Sequence, residues 1–285
     1  MKLDTKKKIL IVGLGLMGGS YAISLSKQGF EVGAVTLEQS SVDYALAHGI
    51  IAHGTTEVTA EYIGQFDIVV FALYPKHFVE WIGSYQHLLK NGAILTDVTG
   101  VKGEVVYTVQ EMLRDDLEFI GAHPMAGREV SGVENATDEM FRGANYIVTP
   151  TDKNTEDAIS LCEELGRTLG FARISRLSPC EHDEMIGFLS QLTHCIAVSL
   201  MTCKDSERLV DYTGDSFRDL TRIARINEEM WSELFLMNKD TLLREIDGFS
   251  AQLMRLRKSL AEEDAEAMKQ MMRLSTERRR LFDKK

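Results

Sequence analysis

Ile9-Leu10-Ile11-Val12-Gly13-Leu14-Gly15-Leu16-Met17-Gly18 sets a short β-branched apolar run directly against a G-x-G-x-x-G spacing. Strand formers that give way at once to glycines call for a strand, a tight turn and a helix, the context in which this spacing binds a dinucleotide. Gly13 permits the turn, Gly15 lets the backbone approach a pyrophosphate, and Gly18 brings the helix close onto the strand. Leu14, Leu16 and Met17 complete the loop, and the N–H groups that open the helix face the anion. The alternative is a glycine-rich turn with no ligand, and the preceding strand and the position near the N-terminus argue against it.

The second strand of such a unit ordinarily ends in an acid about 20 residues on, which grips ribose hydroxyls. Here that place falls at Thr36, followed by Leu37 and Glu38. No Lys or Arg lies between Lys27 and His48 to meet a 2′-phosphate. NAD is the favoured cofactor, with Glu38 as the nearest acid to stand in, and NADP stays open.

Working outward, further strand-like runs recur at Glu31 to Val35, Asp67 to Leu73, Ala93 to Asp97, Glu118 to Gly121 and Asn145 to Val148, with helical stretches between them. That alternation predicts a parallel sheet wrapped by helices. Ile68 to Leu73 is apolar at every position, as in a strand covered on both faces. After about Arg176 the β-branched runs stop, and residues rich in Leu, Met, Glu, Lys and Arg predict an all-α second half. The expected domains are therefore 1–176 and 177–285. Ser178-Pro179-Cys180-Glu181 reads as a capping box with Pro at the first helical position, opening a helix to about Met201. Asn227 starts another helix, Asn238 to Asp240 interrupts the next, and the last begins near Glu263.

The 285 residues carry 32 basic and 43 acidic side chains, a net charge of −11, which excludes a non-specific nucleic-acid or anionic-membrane binder. Hydrophobic residues at 44% with 4 Pro exclude a disordered or collagenous chain. The 4 cysteines form no C-x-x-C pair, no metal site is expected, and a reducing, cytoplasmic compartment fits. No window is read as a membrane span of about 20 apolar residues.

Of 7 histidines, His123 stands out as a candidate general base. It lies in Gly121-Ala122-His123-Pro124-Met125-Ala126-Gly127, just past an expected strand, where open α/β sheets bind ligands. Pro124 holds it extended. On the helix after Ser178, Asp183, Gly187, Ser190, His194 and Ala197 fall on one face at helical spacing, with His182 one step round. That face either lines a pocket or buries a hydrogen-bonded histidine. Farther on, Arg218 and Arg222 are candidates to bind a carboxylate, with a surface role favoured for Arg218 and Arg222 left open.

Together Gly13 to Gly18, Thr96-Asp97-Val98-Thr99-Gly100-Val101-Lys102, Gly121 to Gly127 with Glu129 and Gly132, His182-Asp183, Ser190 to His194 and Phe217 to Trp231 resemble the prephenate and arogenate dehydrogenases of tyrosine biosynthesis, over nearly the whole chain. The resemblance implies a Rossmann-like N-terminal domain and a helical C-terminal domain that forms a homodimer. It implies that His123 takes the ring hydroxyl proton during hydride transfer to NAD, that Arg222 binds a substrate carboxylate, and that His194, Ser190 and Gln191 line the substrate side. Thr36 and Thr99 join the glycine loop on the cofactor side. The chain departs from the family at Gly100, where many members have Ser, at Gln191, often His, and at Thr193, often Pro. Termination at Lys285 implies neither a fused chorismate mutase nor a C-terminal regulatory domain. Prephenate is the expected substrate, with arogenate next. A 3-hydroxy-acid dehydrogenase or reductase on the same plan is disfavoured, because such relatives look to a lysine on the first helix of the second domain and none precedes Lys204. From another class, a non-catalytic dinucleotide sensor would need neither His123 nor Arg222.

Overall fold

The computed structural model describes residues 3–205 and 207–282. Eight strands, β1 (Lys8–Val12), β2 (Glu31–Val35), β3 (His53–Thr55), β4 (Ile68–Phe71), β5 (Ile94–Asp97), β6 (Glu118–Met125), β7 (Asn145–Thr149) and β8 (Arg173–Arg176), form one sheet in the order β3-β2-β1-β4-β5-β6-β7-β8. From β3 to β6 every pairing is parallel, and the order reverses between β1 and β4. An open sheet binds its ligand outside the strand ends at such a switch point. The glycine turn sits there, and Gly13 lies so close to β4 that a Cβ would meet the Ala72 carbonyl oxygen at 2.5 Å.

Alternation along the strands separates two cores. Ile9, Ile11, Ile68, Val70, Ile94 and Ile120 enter one apolar layer, and Leu10, Val12, Val69, Phe71, Leu95 and Phe119 the other. Successive strand side chains point to opposite faces, and helices cover both. This explains why Ile68–Phe71, covered on both faces, carries no polar position.

Four expectations about the strands and helices need correction. The sheet is not wholly parallel, because β6 and β7 are antiparallel neighbours. β6 continues past Gly121 to Met125, so His123 lies within a strand and pairs with Ile147 rather than standing in a loop. The residue before a proline prefers extended backbone, which favours continuation. The edge strands β3 and β8, of three and four residues, were not expected. Neither carries the apolar run of a buried strand, since each holds edge positions that are half-buried or exposed. Finally, the helix that opens with the capping box at Ser178 is not regular. It runs as Pro179–Ile186, a π turn over Gly187–Gln191, and Leu192–Thr202. The even one-face spacing from Asp183 to Ala197 is therefore broken in the middle.

That same 24-residue stretch, Pro179–Thr202, is also long and apolar enough to cross a membrane by length and composition alone, contrary to the reading that no window qualifies. It carries the buried polar side chains His182, Asp183 and Gln191. Each of the three is hydrogen-bonded within the protein.

By compactness the chain divides into one unit ending at Asn238 and another starting at Lys239. The second is a helical hairpin of Lys239–Ala261 and Ala265–Arg279, turned through Glu263 in the left-handed region and capped where Asp264 accepts from the Ala267 N–H. It exposes Leu253, Met254, Leu260 and Met272.

Candidate active site

The β5 end and the loop after it are organised around a buried ion pair. Asp97 Oδ2 accepts from Lys102 Nζ at 2.5 Å and from the Thr99 N–H and hydroxyl, while Asp97 Oδ1 accepts from the Ala122 N–H at 3.0 Å. Burial pulls the Lys102 ammonium below the usual lysine range, and Asp97 opposes that pull. The loop so fixed carries Gly100 beneath His123, where a Cβ would lie 3.9 Å from His123 Nε2 and 3.4 Å from Leu234.

His123 heads a line of three side chains. His123 Nδ1 is 2.8 Å from His182 Nε2, and His182 Nδ1 is 2.7 Å from Asp183 Oδ1. Asp183 is itself anchored, accepting from the N–H groups of Lys102 at 2.8 Å and Gly103 at 2.7 Å. Burial, with His182 and Lys102 adding to it, holds the His123 imidazole well below the usual histidine range. It is neutral near pH 7 and can accept a proton.

The His194 ring stacks on Trp231 with centroids 3.7 Å apart. His194 Nδ1 meets the Ser190 carbonyl at 2.8 Å, which leaves Nε2 available. Arg222, two-thirds exposed, donates to Glu129 at 2.5 Å. His194, Arg222 and Glu129 interact electrostatically. The structure thus links Glu129, His194, Arg222 and Trp231 through these contacts.

Two of the polar candidate residues are not presented at a surface. Gln191 is buried, donating to the Leu234 carbonyl and accepting from Asn238 Nδ2, so its amide braces the helix beginning at Glu228. Thr99 is buried too, its hydroxyl spent between Asp97 and Lys102. Thr36, at the end of β2, accepts from the Leu14 N–H through its hydroxyl at 3.4 Å and so ties β2 to the glycine loop. Sequence reasoning gave no role to the buried pair of Asp97 and Lys102 or to the contact of His182 with His123. The signal was present, since an acid at the end of an apolar strand and a lysine five residues on stand in an otherwise buried segment.

The glycine loop fits a dinucleotide. A Cβ on Gly18 would fall 2.0 Å from the Gly13 carbonyl oxygen, so that glycine is required for packing, whereas a Cβ on Gly15 meets nothing within 4 Å and faces open space. Close packing at one and an open approach at the other are what pyrophosphate binding needs.

Comparison with known proteins agrees on both halves. The family model for the prephenate dehydrogenase nucleotide-binding domain matches residues 21–174, and that for the prephenate dehydrogenase dimerization domain matches residues 178–274. The chain belongs to the prephenate dehydrogenase family. It is 30% identical to prephenate dehydrogenase of Bacillus subtilis over 92% of this chain and 72% of that one. It is 27% identical to cyclohexadienyl dehydrogenase of Zymomonas mobilis over 91% and 90%. Among solved structures, prephenate dehydrogenase from A. aeolicus in complex with hydroxyphenyl propionate and NAD+ superposes with a TM-score of 0.89 at 31% identity, covering 97% of this chain and 98% of that one. This chain is thus a dehydrogenase-family protein whose two halves match the family's two domains.

Proposed function

We propose that the chain catalyses the NAD-dependent oxidative decarboxylation of prephenate to 4-hydroxyphenylpyruvate. The observation that carries this reading is His123, neutral and hydrogen-bonded through Nδ1, with Nε2 turned toward the loop at Gly100. Nicotinamide bound at the β1–β4 crevice would take the hydride from the hydroxyl-bearing ring carbon. His123 Nε2 takes the hydroxyl proton as the carbonyl develops, and loss of CO2 from the opposite ring carbon then gives the phenol. Aromatisation drives the reaction, so the protein has chiefly to orient and to accept one proton.

Arg222 is suited to a substrate carboxylate because its planar fork matches one, and its present partner, the Glu129 carboxylate, is itself exposed enough to be exchanged. Gly13 to Gly18 would hold the pyrophosphate, and Thr36 with Glu38 would stand at the ribose. The absence of a basic residue there supports NAD over NADP. Ser190 and His194 would border the substrate side. We assign residues 1–176 to cofactor binding and 177–285 to substrate binding and to a homodimer, as the name of the matching dimerization domain supports. A cytoplasmic location fits a reaction of soluble metabolites.

The test is reduction of NAD and of NADP by the purified protein with prephenate and with arogenate, each run beside His123→Asn. Turnover of prephenate with NAD that collapses in the variant is the expected result. Preference for arogenate would replace the substrate, and no turnover in any pairing despite cofactor binding would reject the assignment.

A further inference from the structure

His182 has no exposed surface, yet the hydrogen-bond directions around His123 depend on it. An ionised carboxylate only accepts, so Asp183 Oδ1 requires a proton on His182 Nδ1. A neutral imidazole with that proton has its lone pair on Nε2, and His182 Nε2 therefore accepts from His123 Nδ1–H. It follows that His123 carries its one proton on Nδ1 and presents a lone pair at Nε2. The direction of the whole chain is set at its anchored end, where the Lys102 and Gly103 N–H groups fix the Asp183 carboxylate.

We propose that His182 is a positioning residue for the reaction, fixing His123 as the form with a free Nε2 and taking the Nδ1 proton of His123 when Nε2 gains one. This rests on the reading that His123 Nε2 is the base. The substrate hydroxyl proton arrives at His123 Nε2, the bond from His123 Nδ1 to its hydrogen breaks, and that proton bonds to His182 Nε2. His182 is left as an imidazolium whose Nδ1–H still points at Asp183. The electron pair leaves the substrate carbon with the hydride for the oxidised nicotinamide.

The groups facing the pair show why the charge should move. Lys102 opposes a proton on either ring, and burial opposes both. Asp97 pairs with Lys102 at 2.5 Å. Asp183 favours a proton on His182. A positive charge resting on His123 would face Lys102 without a counter-ion in contact, whereas one on His182 lies against a carboxylate.

The test combines 15N NMR of histidine-labelled protein, which reports which ring nitrogen is protonated, with steady-state kinetics of His182→Gln and His182→Leu. In the wild type both His123 and His182 are expected as Nδ1–H forms at neutral pH. Glutamine can accept from His123 and donate to Asp183 but takes no proton, so His182→Gln should keep the His123 form and lose about ten-fold in kcat at unchanged KM. His182→Leu should lose the preference between the two forms and fall by about 100-fold or more in kcat, again without a rise in KM. A proton on His123 Nε2 in the wild type, or wild-type kcat in either variant, overturns the proposal. If leucine prevents folding, the glutamine variant and the wild-type spectrum still decide it. A wild type that turns over neither prephenate nor arogenate overturns the functional reading and this role with it, and the spectrum tells that apart from a wrong reading of the hydrogen bonds.

Discussion

Lys102 Nζ and Asp97 Oδ2 lie 2.5 Å apart with no solvent-exposed surface on either side chain. The two partners are not equivalent. Asp97 would keep the Ala122 and Thr99 donors without the lysine, whereas Lys102 without the aspartate keeps only the Thr99 hydroxyl. Asp97→Ala is expected to cost about 3–5 kcal/mol, the range for stranding one member of a buried pair, and Lys102→Met less. Urea unfolding of both variants measures this. A loss under about 1 kcal/mol for Asp97→Ala would show that the pair is not what holds the loop.

Two glycines of one motif should fail in different ways. Gly18→Ala forces a Cβ against the Gly13 carbonyl oxygen and should destabilise the fold by about 1–3 kcal/mol or more. Gly15→Ala meets no protein atom and should leave the melting temperature unchanged while weakening NAD binding roughly ten-fold, about 1.4 kcal/mol. Calorimetric titration beside thermal melts separates the two. Equal melting temperatures for both variants would contradict the packing argument.

Arg222→Lys keeps the charge but loses the fork. Because Arg222 is mostly exposed, its pair with Glu129 adds little to stability and the melting temperature should hold. KM for the substrate should rise roughly 10- to 100-fold, as expected from losing a charge-assisted bond of about 1.5–3 kcal/mol. An unchanged KM would remove Arg222 from the substrate site.

Acid should act on both stability and rate. His123, His182 and His194 are each held below the usual histidine range, with burial the largest cause in each. In the unfolded chain they return to about 6.5, so below that pH the unfolded state binds protons the native state refuses, and stability falls as pH falls. Above it both states are neutral, and the three histidines impose no slope. The urea midpoint should therefore decline on going below about pH 6.5. The acid limb of kcat/KM should also lie below that value. An acid limb above it would mean that the titrating base is not His123.

Much of this was legible in the sequence because it depends on local pattern. The glycine spacing after Ile9 to Val12, the apolar run at Ile68 to Leu73, the capping box at Ser178 and the helix start at Asn227 each follow from a few adjacent residues, and each is found in the structure. What escaped depends on neighbours distant in the chain. The antiparallel β7 extends β6 through His123. The contact of His123 with His182 spans 59 residues. Gln191 looked free to meet a ligand, but its amide is taken up by Leu234 and Asn238, more than 40 residues away.

The π turn at Gly187–Gln191 has a consequence for how such a site can vary. His182 and His194 are twelve residues apart, and a regular helix turning about 100° per residue would leave them about a third of a turn out of line. A π turn absorbs one surplus residue and brings them nearly back into line. The aim of His194 and its stacked Trp231 is thus stored in the winding of the backbone as well as in side-chain identity. Removing a single residue between Gly187 and Gln191 would leave eleven residues of regular helix and keep the two rings nearly in line, whereas regularising the turn with the count unchanged would swing the ring platform by about 100°.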